Sequence, residues 1–343
     1  MEVTGGFKIE EIEDTPALEE FYKSQGAFKE GFIRFQPGGC VLPRCFTRIH
    51  DSIQNFAVRE DDIWISSFPK CGTTWTQEMV WNIVNNLDYE TAKKVSLEDR
   101  VPFLELTGLL EERFFDVAEA ESKISGTGLV NSVQQSAAIS SPSRILKTHL
   151  PVELLPPHVL TKAKLIYVTR NPKDAVVSLF NHWRIMDKYE GTFDVFFDAF
   201  VADVAGYYCP FNSNVLGYWN IRDQDNVLFI TYEEMKKDLQ AVIRKVCKFL
   251  EKEYTDVQIS ELATHLDFKS MKNNPAVNKE DVLKAFEDMT RGSSSTAAKD
   301  GKFMRKGETG DWKNKLSEEQ NRRIEEWVEK HTQGTDLRYT YTI

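Results

Sequence analysis

Three short runs of β-branched and aromatic residues are each followed at once by a helical pattern. The runs cover residues 62–68, 164–169 and 226–232, and the helical patterns cover residues 74–86, 174–184 and 233–251. A strand followed by a helix and then by another strand closes as a right-handed crossover, which makes the strands parallel. The order therefore predicts a single α/β domain in which helices flank a central parallel β-sheet.

Charge and hydropathy exclude several classes of protein. The 343 residues include 53 acidic and 43 basic side chains, for a net charge of −10. Proteins that coat nucleic acid normally show a basic excess instead. The first residues lack the basic flank and apolar stretch of a secretory signal, and no run of about 18 apolar residues could span a membrane. We therefore expect a soluble, cytoplasmic protein that binds neither nucleic acid nor a membrane.

Cysteine and histidine spacing gives no sign of a metal site. The five cysteines are scattered, and no two have the Cys-x-x-Cys spacing of zinc or redox sites. The six histidines form no closely spaced pair. We therefore predict reduced thiols and no bound metal.

The first strand-to-helix junction carries the most chemistry. It reads SFPKCGTTW over residues 67–75, where Gly72 permits a close backbone approach and Thr73 or Thr74 can cap a helix. The free N–H groups of that helix would form an anion cradle, to which Lys70 adds a full charge. It is not a standard nucleoside-triphosphate loop, because the lysine precedes the glycine. The alternative is a plain Pro/Gly turn with a solvent-facing lysine.

Four segments in this order resemble the motifs of the cytosolic sulfotransferases. The loop at 67–75 is similar to that family's 5′-phosphosulfate-binding loop, and KTHLP at 147–151 to the segment with its catalytic histidine. VTRNPKDAVVS at 168–178 is similar to its 3′-phosphate-binding segment, and RKGETGDWK at 305–313 to its C-terminal phosphate clamp. The resemblance covers residues 61–313 and includes insect members such as retinol dehydratase. It implies a donor, 3′-phosphoadenosine 5′-phosphosulfate (PAPS), that is released as adenosine 3′,5′-bisphosphate (PAP), and no metal.

Two residues of these motifs suit the catalytic step. Sulfuryl transfer needs groups that position donor and acceptor and stabilise the bridging oxygen, and Lys70 is placed to do so. Histidine is the side chain best suited to take the acceptor proton at neutral pH, and His149 is the predicted base. His182 is a weaker competitor that we expect to be structural. The resemblance adds Lys147 as a catalytic and acceptor-binding residue and Phe103 as an acceptor-binding residue.

Polar residues at two other places could hold a second phosphate. Arg170 leaves a strand end, and Ser178 lies on the helix that follows, so both could reach one phosphate. Arg305 and Lys306 offer another cationic pair beside Gly307. The alternative for Arg170 is a surface ion pair. The resemblance implies that these residues hold the 3′-phosphate of the donor.

The resemblance also implies a site for the adenine. Trp75 and Phe268 would flank the base and Tyr232 would hydrogen-bond it, with simple core packing as the alternative for the two rings. The further donor contacts that it implies are Cys71, Gly72, Thr73, Thr74, Met271, Phe303 and Met304. Cys71 stands where serine is commoner, and residues 266–268 read LDF where the family usually has Thr-Ser-Phe.

The chain is longer than typical vertebrate members over residues 106–146. The excess, roughly residues 111–140, is predicted either to cap the acceptor site or to be an inert excursion. Its candidates for an apolar lining are Phe114, Phe115, Val117, Ile124, Leu129 and Val133. A Ser- and Ala-rich stretch at 291–299 is typical of a mobile loop.

The C-terminal part differs from the family pattern. The segment after residue 313 lacks the short dimerisation motif, so we expect a monomer or a dimer that uses another patch. Residues 317–330 predict a capped surface helix. This helix and the tail, residues 314–343, are expected to complete the single domain whose core is 61–313.

Three functions of different classes are compatible with these residues. The first is a sulfotransferase that acts on a small hydrophobic acceptor: a phenol, sterol, retinoid, amine or xenobiotic. In a variant of it, the sulfate ester eliminates and the net reaction is a dehydration, as in retinol dehydratase. The second is a kinase-like phosphotransferase, against which the loop order argues. The third is a catalytically silent binder, against which the presence of both Lys70 and His149 argues.

Overall fold

The computed structural model describes residues 2–3, 6–12, 16–24, 29–111, 131–289 and 302–343. Near the N-terminus, four strands form an antiparallel sheet in chain order: β1 (Glu2–Val3), β2 (Phe7–Glu11), β3 (Phe32–Gln36) and β4 (Cys40–Pro43). This sheet was not predicted from the sequence. It packs its apolar residues into the same core as one face of a second sheet.

The second sheet is parallel throughout. Its strands are β5 (Ile63–Ser66), β6 (Ile145–Thr148), β7 (Lys164–Thr169) and β8 (Val227–Thr231), and they lie in the order β6-β5-β7-β8. Three of these strands lie within the runs predicted at 62–68, 164–169 and 226–232, whereas β6 was missed. The predicted parallel sheet is therefore confirmed, with one additional strand at its edge.

Helices and short 3₁₀ turns make the connections. The 3₁₀ helices are Arg44–Phe46, Leu106–Leu109, Val152–Leu154 and Asp311–Asn314. The α-helices are α1 (Pro16–Lys23), α2 (Thr47–Gln54), α3 (Thr73–Val84), α4 (Tyr89–Lys94), α5 (Leu97–Arg100), α6 (Ser132–Ala138), α7 (Val159–Lys162), α8 (Pro172–Met186), α9 (Phe193–Val201), α10 (Phe211–Trp219), α11 (Tyr232–Lys237), α12 (Leu239–Phe249), α13 (Asp256–His265), α14 (Phe268–Lys272), α15 (Pro275–Asn278), α16 (Glu280–Met289) and α17 (Glu318–Thr332).

Capping residues explain where the predicted helices begin and end. The helices expected at 74–86 and 174–184 are α3 and α8. The continuous helix expected at 233–251 is instead two helices, α11 and α12. The Asp238 carboxylate accepts the N–H of Ala241 at 2.9 Å and thereby caps the N-terminus of α12. The C-terminal helix expected at 317–330 is α17, and Ser317 caps it in a capping box with Gln320.

Alternate residues of the parallel strands face two separate cores. In β7, Leu165 and Tyr167 belong to the core shared with the N-terminal sheet, whereas Ile166 and Val168 belong to the core shared with α3 and α12. Side chains of a strand alternate between its two faces, so both faces of the sheet are covered. The carboxyl ends of the strands remain accessible to a ligand.

The structure also shows the state of the cysteines, the character of the helices and the grouping of possible metal ligands. All five cysteines are buried and unpaired with one another. Within the part of the chain that the structure describes, no helix has the length and apolar character needed to cross a membrane. In the same ranges, no three His, Cys, Asp or Glu side chains are grouped as metal ligands would be.

Candidate active site

The carboxyl ends of the four parallel strands lead to one cavity of about 350 Å³. β5 continues into the loop at 67–72, β6 into His149, β7 into Arg170 and β8 into Tyr232. Open α/β sheets bind ligands at this edge, outside the carboxyl ends of their strands. The sheet thereby brings together side chains that are far apart in the sequence.

Every predicted site residue except Cys71 lines this cavity. They are Lys70, Gly72, Thr73, Thr74, Trp75, Phe103, Lys147, His149, Arg170, Ser178, Tyr232, Phe268, Met271, Phe303, Met304, Arg305, Lys306 and Gly307. The Cys71 thiol is buried outside the cavity, 3.7 Å from the carbonyl oxygen of Pro69, and burial raises its pKa. Only the main chain of residue 71 is therefore available to a ligand.

The loop between β5 and α3 turns through left-handed residues. Lys70 has a φ of 67° and Gly72 a φ of 109°. A Cβ at Gly72 would lie 3.0 Å from the Tyr232 ring, so glycine is the residue that fits. The N–H of Thr76 donates to the carbonyl of Gly72 at 3.0 Å, and the N–H groups before it have no helical acceptor. This is the geometry of an anion cradle.

The charge of Lys70 depends on what occupies the cavity. Its ammonium lies 3.7 Å from the centroid of the Phe303 ring. Burial, followed by the charges of Lys279 and Arg170, lowers the pKa of Lys70 to about 7. An anion placed among these cations would favour the charged form again. Lys70 is thus suited to bind an anion.

The His149 ring is fixed through one of its nitrogens. Nδ1 lies 2.7 Å from the carbonyl oxygen of Ser67, which can only accept, so Nδ1 carries the proton and donates it. Nε2 is then the nitrogen with the lone pair. Burial, followed by the charge of Lys147, holds the pKa of His149 well below its usual value. A neutral ring at the cavity can take a proton from a hydroxyl group.

A buried carboxylate holds the main chain at His149. The N–H of His149 donates to Oε1 of Glu105 at 2.6 Å, and the Tyr208 hydroxyl donates to the same oxygen at 3.0 Å. Burial raises the pKa of Glu105, and its hydrogen bond from His149 opposes that shift. Glu105 and Tyr208 were not among the predicted site residues, because these contacts span 44 and 103 residues of sequence.

Lys147 lies beside the predicted acceptor residue Phe103. A backbone bridge joins the two residues, and the ammonium of Lys147 is 3.8 Å from the centroid of the Phe103 ring. Burial, followed by the charge of Lys279, holds the pKa of Lys147 well below its usual value. The Phe103 ring also meets the His149 ring edge to face, with centroids 5.3 Å apart. The three predicted residues are therefore neighbours.

Donors for a second anion lie where β7 runs into α8. Nη2 of Arg170 donates to the carbonyl of Glu308 at 2.5 Å, but its Nε is buried without a hydrogen-bond partner among the described residues. The guanidinium lies 4.4 Å from the centroid of the Tyr232 ring. Ser178, on α8, lines the same cavity. An oxyanion would satisfy these donors.

Asp311 binds the two cationic side chains of the segment at 305–307. Arg305 and Lys306 donate to its two carboxylate oxygens, each at 2.5 Å. Burial would raise the pKa of Asp311, but the hydrogen bonds from these two cations prevail and lower it to about 2. Gly307 has a φ of 66°, and a Cβ there would lie 2.1 Å from the Phe268 ring. The chain can therefore pass that ring only at a glycine.

Aromatic rings lie beside these cations. Trp75 and Tyr232 meet edge to face with centroids 5.4 Å apart. The indole N–H of Trp75 is buried, and no group in the described ranges accepts its hydrogen bond. Two aromatic rings and an unpaired indole N–H suit a flat ligand group that has hydrogen-bonding atoms at its edge.

Known proteins resemble this chain in sequence and in fold. A family model for the sulfotransferase domain matches residues 60–336. Luciferin sulfotransferase of Photinus pyralis is 38% identical over 295 residues, which cover 85% of this chain and 77% of that protein. The chain belongs to the sulfotransferase family. Sulfotransferase 1 family member D1 of Rattus norvegicus is 36% identical over 294 residues, which cover 85% of this chain and 90% of that protein.

Solved structures agree with this sulfotransferase fold. Retinol dehydratase in complex with retinol and PAP is 30% identical with a TM-score of 0.85, and the match covers 97% of this chain and 99% of that one. Retinol dehydratase with androsterone and the inactive cofactor PAP is 29% identical with a TM-score of 0.85, covering 98% and 99%. The predicted family and the predicted fold class are both confirmed.

The rest of the sulfotransferase cavity is lined by segments outside the four motifs. Its apolar residues include Val101, Pro102, Leu106, Leu109, Leu110, Met186, Val282 and Leu283, and its polar residues include Thr107, Ser132, Gln135, Asp187, Tyr207 and Tyr208. None of the four motifs pointed to them. They converge through the fold alone, from five separate stretches of chain.

The structure describes only the flanks of the predicted cap at 111–140. Residues 112–130, with Phe114, Phe115, Val117, Ile124 and Leu129, lie outside the described residues, as does the loop at 291–299. On the flanks, the N–H of Thr107 donates to Oγ of Ser132 at 3.2 Å, and the N–H of Ser132 donates to Oγ1 of Thr107 at 3.1 Å. Val133 packs in the core instead of lining the cavity.

His182 lies at the cavity and not in the core. Its ring meets Phe303 edge to face, with centroids 5.8 Å apart. Burial, followed by the charges of Lys70 and Lys147, holds the pKa of His182 well below its usual value. A purely structural role, as expected from its place beside Trp183, does not account for this position.

Proposed function

We propose that this sulfotransferase moves the sulfuryl group of PAPS to the hydroxyl group of a small hydrophobic acceptor. The observation that carries the proposal is the state of His149, whose Nδ1 is held by Ser67 so that Nε2 keeps its lone pair. The same cavity contains Lys70 and the main-chain donors of its loop. A base and an anion cradle at one site are what sulfuryl transfer requires.

The residues of the cavity fit the adenosine donor. Nε of Arg170 and the indole N–H of Trp75 are buried donors that lack partners among the described residues. Arg170, Ser178 and the segment at 305–307 would hold the 3′-phosphate. The main chain at Gly307 packs directly against the Phe268 ring, with no room for a Cβ. Retinol dehydratase has been solved with PAP. When bound, the donor supplies the sulfuryl group and leaves as PAP.

Each catalytic residue then has one task. Nε2 of His149 takes the proton of the acceptor hydroxyl while its oxygen forms a bond to sulfur. The ammonium of Lys70 donates to the bridging oxygen, which gains charge as its bond to sulfur breaks. Lys147 lies against Phe103 and would orient the acceptor. Glu105 is a positioning residue, since it holds the main chain of His149.

A small hydrophobic acceptor suits the apolar lining of the cavity. Retinol dehydratase has been solved with retinol and with androsterone, which supports acceptors of this size and polarity. The same likeness favours a second outcome of the reaction. If the sulfate ester has a removable hydrogen on the neighbouring carbon, loss of that proton and of sulfate forms an alkene, and the net reaction is a dehydration.

We also propose that the chain is one domain in which residues 111–140 cap the acceptor site. One hydrophobic cluster extends from Phe7 in the N-terminal sheet to Leu337 near the C-terminus, which supports a single unit. Leu110, Ser132 and Gln135, at the described flanks of this segment, line the cavity, which supports the cap.

Labelled PAPS and a panel of phenols, sterols and retinoids test the proposal. We expect transfer of label to at least one acceptor, and mass analysis then separates a sulfate ester from a product that has lost water. Lys70→Met is the matched control and should transfer little label. Binding of PAP without transfer to any acceptor would contradict the proposal and favour a silent binder. Preferential phosphoryl transfer from magnesium ATP would favour the kinase-like alternative.

A further inference from the structure

Three side chains of the cavity have no task in the proposed transfer step. Lys279, Glu98 and His182 all line it. Nζ of Lys279 lies 2.6 Å from Oε1 of Glu98, and the two side chains are 9% and 27% exposed. Desolvating an ion pair is costly, so its presence in the wall of a binding site requires a reason.

The Phe303 ring places these side chains next to the reacting centre. The ammonium of Lys70 is 3.7 Å from the ring centroid, and that of Lys279 is 5.2 Å from it. The His182 ring packs edge to face against the same ring, with centroids 5.8 Å apart. Because Lys70 is the proposed partner of the bridging oxygen, this ring connects Lys279 and His182 to the side chain that would act on the donor.

The His182 ring can both donate and accept a hydrogen bond. None of the described residues is hydrogen-bonded to either of its nitrogens, although the ring lines the cavity. Its low pKa keeps it neutral at neutral pH, with one N–H and one lone pair. A hydrocarbon surface placed against this ring would leave both nitrogens without partners, which is unfavourable.

Among the described residues, Lys279 has more donors than acceptors to receive them. An ammonium has three N–H groups, and within those residues only the Glu98 carboxylate is paired with it. The other carboxylate oxygen of Glu98 accepts the Ser96 hydroxyl at 3.0 Å, which orients the carboxylate. Lys279 also has a left-handed backbone with a φ of 61°, directly after α15. Such a conformation is unfavourable for lysine, and strained positions of this kind concentrate at functional sites.

We propose that His182 and Lys279 form a polar subsite for a second oxygen of the acceptor, beside the hydroxyl that receives the sulfuryl group. The acceptor class that it selects is a cyclic or aromatic alcohol with a neighbouring hydroxyl or carbonyl group, such as a catechol or an ortho-hydroxy ketone. His182 exchanges a hydrogen bond with that oxygen, and Lys279 donates to it. The inference rests on the proposed sulfotransferase function of the same cavity.

The sulfuryl group of the donor is the other ligand that Lys279 could hold. Glu98 argues against it, because its carboxylate would repel the sulfuryl oxygens. A neutral ring at His182 would also stabilise an anion less than a positively charged side chain would. A hydroxyl or carbonyl oxygen of the acceptor meets neither objection.

Three naphthols that share one ring system test the subsite. 2-Naphthol has a single oxygen, whereas 2,3-dihydroxynaphthalene and 2-acetyl-3-hydroxynaphthalene have a second, uncharged oxygen on the neighbouring position. Their dissociation constants are measured by calorimetry in the enzyme–PAP complex, and their kcat/KM values with PAPS. We expect the enzyme to favour the two bifunctional compounds by at least about tenfold in both measurements, since a site with unpaired polar groups discriminates against ligands that lack a partner.

Two variants remove the subsite. His182→Phe keeps a ring but removes both nitrogens, and Lys279→Met is combined with Glu98→Gln so that no carboxylate is left without its partner. Each should bring the preference for the bifunctional compounds close to one. His158→Phe, at an exposed position, is the matched control and should retain the full preference.

Several outcomes would overturn the subsite. An enzyme without a preference for the bifunctional compounds would do so, and so would a preference that survives in both variants. An equal loss for all three compounds, together with weaker PAP binding, would assign Lys279 to the donor and also overturn it. Dissociation constants need no turnover, so they test the subsite even if no acceptor is sulfated. Failure to sulfate any acceptor would count only against the proposed function.

Discussion

The cavity has a donor end and an acceptor end that are built differently. At the donor end, defined by the loop at 67–75, Arg170 and the segment at 305–307, the main chain determines the shape. Gly72 and Gly307 leave no room for a Cβ, because aromatic rings pack directly against them. At the acceptor end, side chains from the 3₁₀ helix Leu106–Leu109, α6, the end of α8 and α16 converge on the space around His149.

The difference shows how one fold can keep its donor and change its acceptor. Main-chain donors and glycines cannot be altered without moving strand ends, so the donor end is coupled to the buried sheet. The acceptor end depends on side chains that reach the cavity from loops and helix ends, where substitutions are tolerated better than at buried strand ends. We expect substitutions at the two ends to separate donor affinity from acceptor choice.

The largest effect is expected where the two ends meet. His149→Ala should reduce turnover by at least about a hundredfold, the usual scale for a positioned general base, and should change the affinity for PAP little. Turnover by steady-state assay and PAP affinity by calorimetry separate the two effects. His158→Ala is the control, since that side chain is exposed. Near-normal turnover of His149→Ala would move the role of base to another residue, and His182 would be the next candidate.

The next effect is confined to the donor end. Arg170→Ala should weaken PAP binding by on the order of 1.5–3 kcal/mol, because a doubly charged group loses a charge-assisted partner. Arg305→Ala should cost less, since Arg305 already shares Asp311 with Lys306. AMP, which lacks the 3′-phosphate, should bind both variants almost as well as it binds the unaltered protein. Equal weakening for PAP and AMP would show that these arginines are structural.

The donor end could be predicted from the sequence because its residues lie within short motifs, most of them at strand ends. Lys70, Gly72 and Arg170 occupy the places that the strand-loop-helix pattern assigns to them. The missed strand β6 has only four residues, and one of them is Lys147, so its pattern is not that of a buried strand. Pattern reading is weakest for such short elements.

Apart from Phe103, Lys147 and His149, the acceptor end could not be predicted because its contacts are long-range. Glu105 reaches His149 across 44 residues and Tyr208 across 103. Lys279 lies beside Glu98 only because α15 and α5 are brought together by the fold. No local pattern marks such residues, and only the tertiary packing gives them their neighbours.

A smaller effect links donor binding to pH. The pKa of Lys70, about 7 in the unliganded protein, should rise towards its ordinary value when the phosphates of PAP lie beside it. At pH 8 most Lys70 is neutral before binding and charged after it, so binding should take up about one proton. PAP affinity should correspondingly fall as the pH rises above 7. Calorimetry in two buffers with different ionisation enthalpies measures the uptake.

The control for this linkage is Lys70→Met, which should bind PAP with the proton uptake at pH 8 largely removed. The phosphates of PAP are fully ionised at that pH and contribute nothing to the uptake. An unchanged uptake in Lys70→Met would transfer the linkage to Lys147, whose pKa is also held low by burial. No uptake in the unaltered protein would contradict the pKa assigned to Lys70.

The smallest effect is expected at the acceptor end alone, when the cap is shortened. Residues 112–130 can be replaced by a short Gly/Ser linker, because the hydrogen bonds between Thr107 and Ser132 already hold the two flanks together. We expect a several-fold change in acceptor KM and a different range of acceptors, with PAP affinity unchanged, since the loop at Lys70 belongs to the sheet. Thermal unfolding checks that the shortened protein is folded. If that protein kept its acceptor profile, the segment would be an inert excursion, and selectivity would depend on Phe103 and the side chains around it.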